Sequence, residues 1–200
     1  MAAAALHPTE NRGYRELYAT TQRLASHWSP LAGRLGEGDA ATALEAGVRA
    51  ARQLLDELAL QTARYGLHGF PAARGLGARM AGAKNEVGDR FLERNQALRL
   101  AVLDAYHVKL LLGYLAEVAG HRGDAPLAEF CRSWEGRIGR IELPVRRAAL
   151  AAGSDPDTAI KPVDASAPGR AAHGLAYAIG TAGEWVDGRA ASHRRSGAPG

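Results

Sequence analysis

The stretch LRLAVLDAYHVKLLLGYLAEVA, residues 98–119, decides how this chain folds. At about 100° per residue, its apolar side chains fall into two stripes on nearly opposite sides of one helix. The first stripe consists of Leu98, Ala101, Ala105, Val108, Leu112, Leu115 and Ala119. The second consists of Leu100, Leu103, His107, Leu110, Leu111, Tyr114 and Val118. Because a helix with two apolar faces needs cover on both, this segment predicts a central helix of an all-α fold.

Working outward, apolar residues recur at steps of three and four in the flanking segments, which is the signature of amphipathic helices. The first series is Tyr14, Leu17, Thr21, Leu24 and Trp28. The second is Leu44, Val48, Ala51, Leu55, Leu58, Thr62 and Tyr65. A third is Leu127, Cys131, Trp134, Ile138, Ile141, Val145, Ala148 and Ala152. The predicted helices span about 9–28, 39–66, 86–120, 124–152 and 169–190.

Capping and breaking residues set these boundaries. Thr9 and Asp39 are predicted N-caps, and Ser29-Pro30 is predicted to end the first helix. The Pro/Asp/Ser-rich residues 154–168 are expected to be irregular. Residues 1–8 are expected to be a flexible start and 191–200 a disordered tail, which leaves one helical domain over 9–190.

The second stripe of the central helix needs a partner. The run AAHGLAYAIGTAG, residues 171–183, carries no charge, and its small residues allow two backbones to approach closely. We therefore expect a four-helix bundle of long helices with a shorter fifth helix packed on the third. The alternative cover is a second copy of the chain, in a homodimer.

Residues 66–84, GLHGFPAARGLGARMAGAK, form a long basic connection. At about 3.3 Å per residue, 19 residues can extend to about 60 Å, which exceeds the roughly 39 Å of a 26-residue helix. The connection can therefore run the length of the bundle, so that the third helix runs parallel to the second. Arg74, Arg79 and Lys84, close to a helix N-terminus, are a candidate anion site.

Composition limits the function classes. The 200 residues are 46% hydrophobic, with a net charge of +4 that permits contact with phosphates without requiring it. The single cysteine, Cys131, excludes an internal disulfide and a cysteine-based zinc site. The N-terminus lacks the pattern of a signal peptide, and no apolar run is long enough to span a membrane. We expect a cytoplasmic protein that does not bind membranes. The mixed charges of its helices also argue against nucleic-acid binding.

Asp104 and His107 form the only Asp-x-x-His pair in the chain, one helical turn apart, a spacing that can chelate a metal. With four long helices, a long link between the second and third, and a shorter fifth, the chain resembles the ferritin-like proteins in outline. That resemblance implies iron or manganese, with Glu57, Glu135 and Glu142 as further ligands. The family's Glu-x-x-His motifs are absent, so our first expectation is that no cofactor is bound.

Other catalytic signatures fail on detail. Gly77 and Gly82 have phosphate-loop spacing, but Lys84 is one position late and Asn85 replaces Ser or Thr. Cys131 occupies a core position of its helix, as a small buried hydrophobe does. The sequence therefore favours a non-catalytic binding or scaffolding role over an enzyme. The alternatives are a ferritin-like metal-binding protein with an incomplete site at Asp104 and His107, and a weak anion or nucleic-acid binder that uses residues 66–84.

Overall fold

The protein is all-helical over the residues that the computed structural model describes, which are 6–67, 92–171, 173–175 and 178. Its helices are α1 (Pro8–Leu35), α2 (Asp39–Thr62), α3 (Arg94–His121), α4 (Ala125–Ala151) and the short α5 (Pro156–Ala159). Single 3-10 turns, Ala63–Tyr65 and Ala152–Ser154, extend α2 and α4. The described residues form no strand, only an isolated bridge between Glu93 and Pro162. None of the described helices has both the length and the apolar character needed to span a bilayer.

Each of the four long helices packs against two others, in the closed order α1, α2, α4, α3. Short links make α1 and α2 antiparallel, and likewise α3 and α4. Contacts of Glu10 with Arg122 and of Arg23 with Asp104 show that α1 and α3 are also antiparallel. It follows that α2 and α3 run in the same direction, which is the direction that the length of the 66–84 connection allows.

The core lies between the four helices and is lined by the residues that the spacing predicts. Every member of the first stripe of α3 is buried, and all of them except Leu98 have no exposed surface. In α1, all five residues of the predicted series, from Tyr14 to Trp28, are buried. The all-α class and the inward faces of these helices are therefore confirmed.

The first helix differs from its prediction at both ends. His7, not Thr9, is its N-cap, in a capping box closed by Glu10. Ser29-Pro30 does not end it, since α1 continues through Pro30 to Leu35. Leu31, Ala32 and Leu35 are buried in the core, and their burial outweighs the cost of about 3 kcal/mol for a proline inside a helix.

Other boundaries differ by smaller amounts. The N-cap of α2 is Gly38, and Asp39 is its first residue. The α2 helix ends at Thr62, and Gly66 takes the left-handed conformation that stops the following 3-10 turn. The predicted start of the third helix at 86 lies outside the described residues. Within the described residues, α3 begins at Arg94, with Glu93 as its N-cap.

The segment after α4 is not wholly irregular. Asp155 caps the short α5, and Pro156 occupies its first position. Residues 167–171 and 173–175 are helical, at the start of the predicted fifth helix. The rest of that helix, apart from residue 178, and the predicted tail lie outside the described residues.

Candidate binding surface

The second apolar stripe of α3 is the most unusual surface of the molecule. Its large side chains are exposed: Leu103 by 60%, Leu110 by 59% and the neighbouring Tyr106 by 56%. Leu100 and Tyr114 are more than two-fifths exposed, whereas Leu111 and Val118 are partly covered. We define the α3 apolar face as Leu100, Leu103, Tyr106, Leu110 and Tyr114. Large apolar side chains exposed along one helix face make this face a candidate interaction surface.

Polar contacts to α1 fix one edge of the α3 apolar face. His107, at this edge, contacts Glu16 Oε1 through Nε2 at 3.0 Å. The Tyr114 hydroxyl shares a hydrogen bond with Thr9 Oγ1 at 2.9 Å. These contacts tie the His107 and Tyr114 side chains to α1.

A groove continues from this face toward the C-terminal end of α4. Its volume is about 690 Å³, within the range of roughly 300–1,000 Å³ typical of small-molecule sites. Its walls are apolar and consist of Leu92, Leu100, Val102, Leu103, Ala149 and Leu150. The polar groups at the groove are Gln96, Arg99 and Arg146. A second, smaller groove of about 370 Å³ shares Arg99, Ala149 and Leu150 with the first.

Asp104 lies in the interface between α1 and α3. His27 Nδ1 donates to Asp104 Oδ2 at 2.5 Å, and Arg23 Nη2 contacts Oδ1 at 3.1 Å. The His27 and Asp104 side chains are 8% and 13% exposed, so these two groups are largely withdrawn from water. Asp104 thus pairs with an arginine, whereas His107 pairs with Glu16, and the two residues of the Asp-x-x-His pair have separate partners.

The three glutamates predicted as further metal ligands also have other neighbours. Glu57 Oε2 accepts a hydrogen bond from Trp134 Nε1 at 2.9 Å, and Glu142 contacts Arg146 Nε at 3.3 Å. The Glu135 carboxylate lies against Gly113 of α3. In the part of the chain that the structure describes, no three His, Cys, Asp or Glu side chains are grouped to hold a metal ion. Binding of iron or manganese by these residues stays a prediction.

The predicted anion site, Arg74, Arg79 and Lys84, lies outside the described residues. The described residues contain instead an ion-paired cluster that the spacing of residues in the sequence did not reveal. This end cluster joins the ends of all four long helices and consists of Glu10, Arg64, Tyr65, Arg122 and Asp124.

Within the end cluster, Arg122 Nε donates to both oxygens of Glu10, at 3.2 and 3.0 Å, and Nη2 donates to Asp124 Oδ2 at 3.0 Å. The Tyr65 hydroxyl donates to the same Asp124 oxygen. The guanidinium groups of Arg64 and Arg122 lie over the Tyr65 ring. Burial raises the pKa of Asp124, but hydrogen bonds from Tyr65 and the Leu127 amide, with the Arg64 charge, bring that pKa below its ordinary value. Each charged group has an opposite charge beside it, so the cluster holds the helix ends together.

Cys131 and Tyr14 lie in the core next to the end cluster, with Sγ and the hydroxyl 3.9 Å apart. Burial raises the pKa of the Cys131 thiol to about 12 and also raises the pKa of Tyr14. Because nucleophilic cysteines need a lowered pKa, this thiol has the properties of a core residue, as its position in the α4 series predicts.

Sequence reasoning missed the groove and the end cluster because both are assembled from residues far apart in the chain. The sequence pattern indicated part of the groove, because Leu100 and Leu103 belong to the second stripe. No local sequence pattern indicated that Arg99 and Arg146 would lie beside them. Comparisons of the chain with protein-family models, with curated proteins and with solved structures find no match.

Proposed function

We propose that this is a non-catalytic binding or scaffolding protein that works as a homodimer, with the α3 apolar face as the dimer contact. The observation that carries the proposal is the exposure of five large side chains along one face of a helix whose opposite face is fully buried. The proposal retains the cytoplasmic location predicted from the sequence.

The spacing of the face supports a second copy as the occupant. Four residues of the face and the adjacent His107 recur at steps of three and four, as contact positions of paired helices do. They are Leu100, Leu103, His107, Leu110 and Tyr114. The pairs 100/114 and 103/110 are both centred on residues 106–107. Two copies of α3 packed antiparallel about that centre would place each Leu100 against the partner copy's equivalent of position 114. A twofold contact requires this self-complementarity.

The surroundings of four described titratable groups support a non-catalytic role. Glu10, Asp104 and Asp124 are each held by arginine, and the Cys131 thiol is buried with a raised pKa. General acids, bases and nucleophiles instead need access to substrate and a pKa near the working pH.

Light scattering coupled to size-exclusion chromatography tests the dimer. We expect the native chain to have twice the 21.1 kDa chain mass at micromolar concentration, and Leu110→Asp to be a monomer, because a carboxylate cannot be buried in an apolar contact. Leu60→Asp is the matched control, since Leu60 is 78% exposed on α2, away from the face. It should remain a dimer.

Three results would overturn the proposal. A monomeric native chain would do so, and if Leu110→Asp then also lowered the unfolding midpoint, the predicted fifth helix of the same chain would be the favoured cover. A dimer that survives Leu110→Asp would move the contact elsewhere. Dissociation by Leu60→Asp as well would show that the effect is not specific to the α3 apolar face.

A further inference from the structure

We propose that the groove between α3 and α4 binds an anionic amphiphile, specifically a free long-chain carboxylate. Its apolar chain would lie along Leu100, Val102, Leu103 and Leu150, and its carboxylate would meet Arg99 and Arg146. The groove shares Leu100 and Leu103 with the α3 apolar face, whereas Leu150 and both arginines lie outside that face, so different variants test the two proposals.

The shape and composition of the groove point to a ligand with a long apolar part. Six of its nine described lining residues are aliphatic, and Leu150 is 73% exposed. The smaller groove beside Ile160 and Pro156 extends the apolar surface beyond Leu150. A leucine so exposed beside other aliphatic side chains gains by contact with an alkyl chain.

The charge at the groove selects the head group. No aspartate or glutamate is among the described residues that line either groove, whereas two arginines are. Arg146 shares its charge with Glu142, at 3.3 Å. Arg99 Nη2 donates to the neutral amide of Asn95, at 2.9 Å, so its charge is not balanced by that partner. Two arginines and one glutamate leave one positive charge, which matches a monoanion such as a carboxylate and pairs well in the forked geometry of a guanidinium.

Isothermal titration calorimetry of the full chain with dodecanoate, below its micellar concentration, tests the assignment. We expect saturable binding of one molecule per chain. Each methylene added between decanoate and dodecanoate should tighten binding by about fourfold, the effect of burying one methylene. Dodecyltrimethylammonium, with the same chain and the opposite charge, should not bind at the same concentrations.

Two variants address the two ends of the ligand. Arg99→Gln should weaken dodecanoate binding by about tenfold, because it removes the charge while keeping a polar side chain. Leu150→Asp should weaken it at least as much. Arg52→Gln and Leu60→Asp, on the exposed surface of α2, are the matched controls and should bind as the native chain does. Circular dichroism of each variant checks that it is folded.

Binding of the cationic amphiphile as tightly as dodecanoate, or an unchanged affinity in Arg99→Gln, would overturn the charge assignment. No saturable binding by the folded native chain would overturn the site. Leu110→Asp, which is expected to separate the dimer, should keep dodecanoate binding, so that failure of one proposal is visible apart from failure of the other. Loss of binding in that variant would overturn the assignment of the site to a groove within one chain.

Discussion

Arg122 is the residue on which the end cluster depends. Glu10 is fully buried, and its carboxylate is held by Arg122, whose side chain is one-quarter exposed. Removing the cation leaves a carboxylate in the core without its charge partner, which costs about 3–5 kcal/mol for a fully buried pair. We expect about 2 kcal/mol here, because the arginine is partly solvated.

The variant Arg122→Met, measured by urea unfolding, tests this value. Arg52→Met, at an exposed position of α2, is the control and should stay within about 0.5 kcal/mol of the native chain. Adding Glu10→Gln to Arg122→Met should restore part of the loss, since the buried charge is then gone. An Arg122→Met variant as stable as its control would contradict the assigned role.

The pH dependence of stability has a defined sign at Asp124. Its folded pKa lies below its ordinary value, despite burial, because Tyr65, the Leu127 amide and Arg64 favour the charged form. A lowered folded pKa stabilises the protein above the unfolded pKa of about 3.9, and this stabilisation is lost as the pH falls below about 5 and through the folded pKa.

We therefore expect the free energy of unfolding to decrease from pH 6 to pH 3 more steeply in the native chain than in Asp124→Asn. Asparagine still caps α4, so the comparison isolates the charge. Urea unfolding at a series of pH values gives the two slopes. Asp157→Asn, on an exposed residue of α5, is the control and should keep the native slope. Equal slopes for Asp124→Asn and the native chain would refute the prediction.

At the scale of helices, replacing glycine by alanine should change the stability of the protein in opposite directions at two positions. A Cβ at Gly47 of α2 would overlap the buried Trp28 ring of α1, whereas a Cβ at Gly33 of α1 would meet nothing within 4 Å. Alanine favours a helix over glycine by up to about 1 kcal/mol, but forcing two packed helices apart costs about 1–3 kcal/mol.

Thermal unfolding of Gly47→Ala and Gly33→Ala measures the difference. Gly33→Ala should raise the unfolding midpoint by a few degrees, and Gly47→Ala should lower it. Each variant serves as the control of the other, because the substitution is identical. A stabilised Gly47→Ala would show that α1 and α2 do not approach as closely as the Trp28 contact requires.

The helices also show how far a sequence pattern reaches. Steps of three and four located the buried residues of α1 and the inward face of α3, because burial acts on every turn of an amphipathic helix. The prediction that the first helix ends at Ser29-Pro30 was wrong, because burial of three residues beyond the proline outweighs the local effect of the proline. Pairing of Glu10 with Arg122 had no local signal, as 112 residues separate them. Periodicity reports what a helix buries and not which distant side chain it meets.

At the scale of the whole molecule, Cys131 reports on opening of the core. It is the only cysteine in the chain, it has no exposed surface, and burial raises its pKa to about 12. At pH 8 its thiolate fraction is then about a thousandfold lower than at its ordinary pKa near 9. We expect no measurable reaction with Ellman's reagent over minutes in the native protein, and one thiol per chain in guanidinium chloride. Native reactivity at the rate of a free cysteine would contradict a closed core.

The arrangement of the helices has its own test, which the inert Cys131 makes practical. Glu16 and His107 contact each other across α1 and α3, and both are exposed enough to react when replaced by cysteine. In the double variant Glu16→Cys/His107→Cys, a short bifunctional thiol reagent should join the two helices within one chain.

The comparison variant is Glu16→Cys/Asn95→Cys. Since position 95 lies 12 residues before His107 on α3, about 18 Å away along the helix, this pair should stay unjoined. It would be joined instead if α1 and α3 were parallel, because the contact of His27 with Asp104 would then bring residue 16 near residue 93. Peptide mass spectrometry of the monomer band distinguishes the two outcomes, and joining of only the 16/95 pair would reverse the direction of α3 and with it the whole order of the helices.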